Sequence, residues 1–416
     1  MSLIPSNQTI YGNLNVAGSI TSFTNQVPTD PFGDIRVVQK SSYLELKSTF
    51  GVSQLRDLVT TTGTGSVLNT LVGLGGSGEY QVSVSAANDV ATLQSQERGC
   101  YIAGYGVEVG VGIRMPVPPT GNTVSRWGLY DDANGVYFTM SAAGPGVGIM
   151  RNGVETLTPR SAWNVDKMDG TGPSGYTLNM ARGNIFQIVF SWYGYGAIVY
   201  RVVVTDSVGN QIVQVVHRGV NPNSTSMTTP NLPITITVQN GATASDHTVN
   251  VGGRQYSILG NFPARTFRIS TAYIVASTGY NKTSFTPVIS VKRKNGYVGN
   301  AIRIHNLEIS ASNDCYYEIR LNAVLGGIAS SWANLPSTVA SETALQQDTS
   351  ATTATGGVVL YAGYLPSNAG ANTKTDNDDI EFMIEEHSVI TVVARGAPSG
   401  LNSTTVNCFL RFKEAW

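Results

Sequence analysis

Residues 184–204, NIFQIVFSWYGYGAIVYRVVV, form the most apolar stretch of the chain. Taken two at a time, Phe186, Ile188, Phe190 and Trp192 fall on one face. Beyond Gly194 and Gly196, so do Ile198, Tyr200, Val202 and Val204. Period two with β-branched and aromatic residues marks strands. Gly-Tyr-Gly at 194–196 suits a short hairpin loop, because glycine tolerates the positive φ such loops use. The pattern predicts two long antiparallel strands whose shared face is core. A membrane-spanning helix needs about 20 uninterrupted apolar residues, and here the paired glycines and Arg201 interrupt the run.

A second alternating stretch, TIYGNLNVAGSITS (9–22), puts Ile10, Gly12, Leu14, Val16, Gly18 and Ile20 on one side and mostly polar residues on the other. A lone strand cannot bury such a face. The segment reads as an assembly arm with Ile10, Leu14, Val16 and Ile20 as its contact residues, or as an edge strand of the following domain. FTNQVPTDPFGD (23–34), with two prolines, reads as a linker.

From about residue 41 strands and turns alternate at short intervals. Asn-Gly pairs at 134–135, 152–153, 240–241 and 295–296 predict hairpins. In 99–117, Tyr105, Val107, Val109 and Val111 share one side. Gly104, Gly106, Gly110 and Gly112 share the other with Glu108, so that side meets another backbone closely or receives large side chains. Residues 135–159 read as strand, turn, strand, turn, and 210–218 as a further strand. Residues 219–231 read as a loop, and 232–241 and 247–260 as the closing strands of a first sandwich. A second set of strands begins near 263, with a short helix expected at 340–348. The spacing predicts an all-β fold: an N-terminal strand arm and linker (1–40), then two antiparallel β-sandwich domains over 41–262 and 263–416.

Composition sharpens this. Only 13 % of the 416 residues are charged, with 26 Lys and Arg against 27 Asp and Glu. The usual charged share is about 25 %, so solubility rests on neutral polar groups. A net charge of -1 supplies no basic face for nucleic acid. The three cysteines, Cys100, Cys315 and Cys408, are far apart and form neither a disulfide framework nor a zinc site. The start carries no basic segment leading into an apolar core, so no secretory signal is expected. A Ser/Thr-rich β protein made that way fits a virus particle protein assembled in the host cytoplasm.

Candidate chemistry is sparse, and no catalytic, cofactor or metal residue is assigned. There is no G-x-S-x-G, and GLGGSGEY (73–80) lacks the Lys-Ser/Thr of a phosphate loop. Asp246-His247 reads as a solvated turn, Asp131 and Asp132 as turn-shaping carboxylates, and Lys292-Arg293-Lys294 as a charged hairpin tip. Asp376, Asp378 and Asp379 form at most a weak calcium loop. Glu385 and Glu386 must point to opposite faces of a strand. Trp127, Trp163, Trp192 and Tyr195 are the aromatics suited to stacking on sugar, and of these Trp192 reads as core because it shares the Phe186/Ile188/Phe190 face. Tyr195 at its loop tip is the best exposed candidate for a glycan or receptor contact; Trp163, after Ser161-Ala162 in a loop-like stretch, is a second candidate that the sequence allows to be either exposed or core.

Three stretches together, 41–67, 161–202 and 251–260, resemble a virion protein module of tailed phages and some large DNA viruses. The most specific part runs from Trp163-Asn164 through Asp166-Lys167 and Asp169-Gly170 to Trp192-Tyr193-Gly194-Tyr195-Gly196. The tail 390–416 is similar to the ends of such proteins, and GNLNVAGSITS to strands that begin phage fibres, where three chains wrap together. The resemblance implies a concanavalin-like, jelly-roll type of sandwich over much of 41–260. It also implies a non-enzymatic fibre, spike or surface decoration subunit. Its expected partners are itself as a homotrimer, other virion proteins and a host-surface glycan, with no nucleic acid and no membrane. The alternatives are a capsid cement protein with no receptor role and a glycan-degrading spike enzyme, which needs two carboxylates about 5–9 Å apart in a cleft.

Overall fold

In the computed structural model, residues 40–49, 51–69, 78–205, 211–219, 223–260, 268–277, 283–297, 301–335, 343–366 and 404–415 are described, with shorter pieces at 209, 279–280, 373–375, 382, 384 and 388–397. The arm residues Ile10, Leu14, Val16 and Ile20, the loop 71–77, Asp376, Asp378, Asp379, Glu385 and Glu386 lie outside them.

The chain is an all-β protein built of antiparallel sandwiches. One sheet of the first sandwich runs β13 (Gln211–Arg218), β12 (Ile198–Thr205), β11 (Asn184–Phe190), β6 (Gly106–Arg114), β15 (His247–Leu259), β4 (Tyr80–Val84) and β3 (Ser66–Asn69). β1 (Lys40–Leu46) pairs with the far half of β15. The facing seven-stranded sheet runs β10 (Val154–Pro159), β9 (Gly144–Arg151), β8 (Gly135–Ser141), β7 (Val124–Tyr130), β14 (Pro233–Gln239), β5 (Val90–Arg98) and β2 (Asp57–Thr62).

Alternation explains the slab between them. Phe186, Ile188 and Phe190 of β11 and Ile198, Tyr200 and Val202 of β12 are buried in one core. So are Val107, Val109, Val111 and Ile113 of β6. At its centre Phe186 meets Trp127 and Phe138 of the other sheet at centroid distances of 5.0 and 4.9 Å. Tyr200 stands edge-on to Phe138 at 5.4 Å and donates its hydroxyl to Gly148 O at 2.8 Å. Each such side chain, fully buried, contributes roughly 1.5–3 kcal/mol. The glycine side of β6 behaves as its spacing predicts. A Cβ on Gly110 would lie 3.1 Å from the Gln255 side chain, and one on Gly112 would lie 3.6 Å from the Gly252 backbone.

A second core draws on residues 272–412. One of its sheets orders β16 (Arg268–Ser277), β27 (Val406–Ala415), β18 (Ala301–Ala311) and β25 (Thr373–Thr375). The other orders β21 (Ala333–Asn334), β22 (Leu345–Asp348), β17 (Thr286–Arg293), β26 (Val389–Gly396), β19 (Cys315–Leu321) and β24 (Val358–Leu365), and β20 (Val324–Gly326) pairs with β23 (Thr353–Thr355). The two sandwiches touch where Gln96 Nε2 donates to Ser388 Oγ at 3.1 Å and an Arg303 Nη donates to the Tyr43 hydroxyl at 3.2 Å.

Several sequence expectations change. Residues 345–348 are a strand, not part of a helix. Leu345 and Asp348 are buried, and pairing to β17 and β21 overrides a weak helical preference. The loop between β11 and β12 spans 191–197, longer than Gly-Tyr-Gly. Asn152-Gly153, with φ of +49° and +77°, makes the expected two-residue hairpin, and Asn134-Gly135 lies at the β7–β8 turn. Asn240-Gly241 instead carries the chain from one sheet to the other. Asn240 donates to Ala86 O and Ser245 O and accepts from Thr123 Oγ1. Asn295-Gly296 likewise leads from β17 to β18 in the opposite sheet. The expected closing strands β14 and β15 do belong to the first sandwich, each lying inside one of its two sheets.

Candidate functional site

The outer face of the seven-stranded sheet holds a groove of about 940 Å³. Register puts one outward residue per strand in line across it. Thr60 of β2 faces Thr92 of β5, which faces Thr237 of β14, which faces Arg126 of β7. Thr92 Oγ1 and Thr237 Oγ1 are 3.2 Å apart. Gln94 and Gln239 extend the neutral polar lining on either side, and Gly296 and Asn322 reach the groove from the second sandwich.

Charge enters as pairs. Arg126 meets Glu155 of β10 at 3.1 Å, and Tyr137 also donates its hydroxyl to Glu155. Burial, reinforced by that carboxylate, pushes the Tyr137 phenol above its ordinary pKa. The ring lies flat because Gly148 is beneath it, where a Cβ would stand 2.4 Å from Tyr137 Cε2. Arg98 meets Asp131 at 2.9 Å. Asp131 Oδ1 accepts the amides of Ala133 and Asn134, so this carboxylate shapes its turn as expected. With Asp132 exposed, the groove holds two arginines and three carboxylates.

One end of the groove opens towards the loops that join the strand ends. Asn134 Oδ1 accepts from Thr228, Arg151 Nε donates to Thr225 Oγ1 at 3.4 Å, and Ser226 N donates to Gly194 O at 2.9 Å. On the 191–197 loop Tyr195 is 60 % and Tyr193 55 % exposed. Tyr193 holds a left-handed φ of +38° while its N–H donates to the Tyr101 hydroxyl at 3.3 Å.

Trp163 is not exposed. It is 4 % accessible and belongs to the core. Asn164 explains this by exchanging hydrogen bonds with Arg218 N and O, which pins the segment to β13 and turns the indole inward. Tyr195 and Trp163 therefore do not form one surface. Trp127 is likewise not available for a sugar, because it is 1 % exposed and packs between Phe138 and Phe186, and Trp192 is partly buried with Nε1 donating to Met227 O at 3.3 Å. In the run that carries the resemblance, Asp166 is buried and accepts the amides of Met168 and Ser174, so it ties a loop.

Two polar motifs are also buried. His247 lies inside β15, not in a solvated turn. Lys292-Arg293-Lys294 is not a solvated tip. Arg293 donates to Ile384 O and Tyr297 O, Lys294 to Thr343 O, and only Lys292 stays on the surface, over the Trp332 ring at 4.3 Å. All three cysteines are buried, and none is in a disulfide. Among the described residues no group of three or more His, Cys, Asp or Glu could hold a metal ion, and no helix is long and apolar enough to cross a membrane.

Sequence alone does not single out the row Thr60, Thr92 and Thr237, although Thr and Gln alternate in VATLQSQ and PITITVQ and DLVTTT ends in three threonines.

No family model matches the chain, and no curated protein matches it. Solved structures are similar in outline. The Emp47p carbohydrate recognition domain is 15 % identical, covering 52 % of this chain and 96 % of its own, with a TM-score of 0.31. A legume lectin-like domain from Entamoeba histolytica is 9 % identical over 48 % and 88 %, with a TM-score of 0.28. A protein of unknown function from Shewanella oneidensis is 11 % identical over 58 % and 100 %, with a TM-score of 0.33. Likeness at this level says nothing about ligand or role.

Proposed function

We propose that the chain is a structural and binding subunit of a virus-particle surface, a fibre, spike or decoration protein, and that its first sandwich receives a neutral glycan in the groove. The observation that carries the binding half is the Thr60–Thr92–Thr237 row beside two arginine–carboxylate pairs. A neutral sugar chain presents hydroxyls and little charge. A concave face of hydroxyls and amides, with its arginines already paired, accepts it without stranding a buried ion. The particle half is supported by the low charge, the alternating segment 9–22 as a trimerising arm, and the resemblance of 41–67 and 161–202. A cement protein would share these features without using the groove.

Asp131 and Glu155 are the carboxylates a glycan-cleaving reading would use. Each spends oxygens on an arginine, and Glu155 on Tyr137 as well, so the groove binds without turnover. A glycan array probed with the full chain and its Thr92→Arg variant tests this. Wild type should retain neutral oligosaccharides, the variant should lose at least tenfold, and no new reducing ends should form. No retention by folded wild type, or sugar release, overturns it. Antibody-labelled electron microscopy of particles tests the particle half and separates a fibre from a capsid decoration.

A further inference from the structure

Arg395 stands out in the second sandwich. Its strand β26 lies between β19 and β17. From β19, Tyr316 sits directly opposite in register, its ring centroid 5.3 Å from the guanidinium carbon. From the other side Phe285, the residue before β17, places its ring 4.9 Å away. Phe285 rests on buried Val393. Arg395 Nε is buried without a hydrogen-bond partner, and among the described residues no carboxylate lies within ion-pairing distance of the group. Buried donors are rarely left unmade, and a guanidinium without acceptors has unspent capacity for a planar anion.

The neighbouring charges are otherwise engaged. Arg320, which also stacks on Phe285 at 4.9 Å, gives its Nε to Glu318 at 2.7 Å. The Tyr364 hydroxyl bonds to Asp314, which raises the phenol pKa. Rings flank Arg395 and its Nε edge is buried, so the terminal Nη edge is left to meet solvent. Next in the same cross-strand row, Tyr364 lies 5.2 Å from Tyr316. The two rings are 46 % and 37 % exposed. A carboxylate matches the two parallel donors of the Nη edge, and an exposed tyrosine beside it offers a face to the apolar side of a pyranose.

We propose that Arg395, with Tyr316 and Tyr364, forms a binding site for a carboxylate-bearing sugar, distinct from the groove and independent of its reading. An acidic peptide also carries carboxylates. The sugar is favoured because the ring at the outer end of the row, Tyr364, is 46 % exposed and can take the apolar face of a pyranose while the carboxylate reaches Arg395.

The test is calorimetric titration of the full chain with oligogalacturonate, its methyl ester as the neutral control, and poly-glutamate. Wild type should bind oligogalacturonate with an affinity that falls as salt rises, and bind the ester and poly-glutamate at least tenfold more weakly. Arg395→Lys keeps the charge but loses the fork, and should lose at least tenfold. Tyr364→Ala should lose severalfold, with thermal unfolding of both variants near wild type. Absence of oligogalacturonate binding, equal binding by Arg395→Lys, or preference for poly-glutamate overturns the proposal. Neutral oligosaccharide binding in the groove is measured in parallel with Thr92→Arg, so the failure of one site is distinguishable from failure of the other.

Discussion

His247 Nε2 lies 2.9 Å from Ser125 Oγ, a hydrogen bond that joins the two sheets of the first sandwich through its interior, as Tyr200 to Gly148 does elsewhere in the slab. Nδ1 of the same ring is buried without a partner. Burial pulls the imidazole down to about 4 from an ordinary 6.5. The folded state therefore holds His247 neutral where the unfolded chain would protonate it. Its contribution is complete above pH 6.5 and is lost as pH falls towards 4, by roughly 3 kcal/mol in total. Urea unfolding followed by tryptophan fluorescence from pH 7 to 4 should show that decline in wild type and a shallower one in His247→Gln. Asp89 does not interfere. Thr64, chiefly through its hydroxyl, holds that carboxyl down to about 2, so its contribution is lost only below about 4.

Arg254 and Asp57 pair at 2.6 Å with both side chains 1 % exposed, and Arg254 also lies over the Tyr80 ring. Removing one partner strands a charge in the core. Asp57→Asn should cost about 3–5 kcal/mol, whereas replacing both residues by apolar ones of similar volume should restore most of it. Chemical denaturation of the single and double variants checks both parts.

Phe186→Ala should destabilise by about 3–5 kcal/mol, since it empties the contact with Trp127 and Phe138 at the centre of the slab. The midpoint of denaturation should fall while the slope holds, because no other core element depends on that ring for its strand pairing.

Gly196 has no room for a side chain: a Cβ would lie 1.3 Å from Ser191 O. Gly196→Ala must move the loop backbone that presents Tyr193 and Tyr195. Limited proteolysis should cut within 191–197 faster in this variant, while Tyr195→Ala should leave the cutting rate unchanged.

The inner faces of the strands were legible because period two needs only local sequence. Phe186 to Phe190 and Ile198 to Val202 are adjacent in the chain and fold against each other. The groove was not legible in the same way. Thr60, Thr92 and Thr237 meet only through register, and Arg126 meets Glu155 from a strand three positions away in the sheet. Buried polar groups misled most. His247, Arg293 and Lys294 read as solvated because their partners, Ser125 Oγ and the carbonyls of Ile384 and Thr343, are distant in sequence. Trp163 misled for a related reason, since the Asn164–Arg218 clamp that turns it inward joins residues separated by β11, β12 and most of β13. Asn-Gly marked hairpins only where both flanking strands lie in one sheet.

A crystal structure of the full chain soaked with the neutral oligosaccharide that binds best on the array tests the central claim most directly. Electron density for sugar along Thr60, Thr92 and Thr237, with Arg126 and Glu155 still paired, is the predicted result. Density only at the Tyr193–Tyr195 loop, or none in the groove at saturating concentration, would contradict the account.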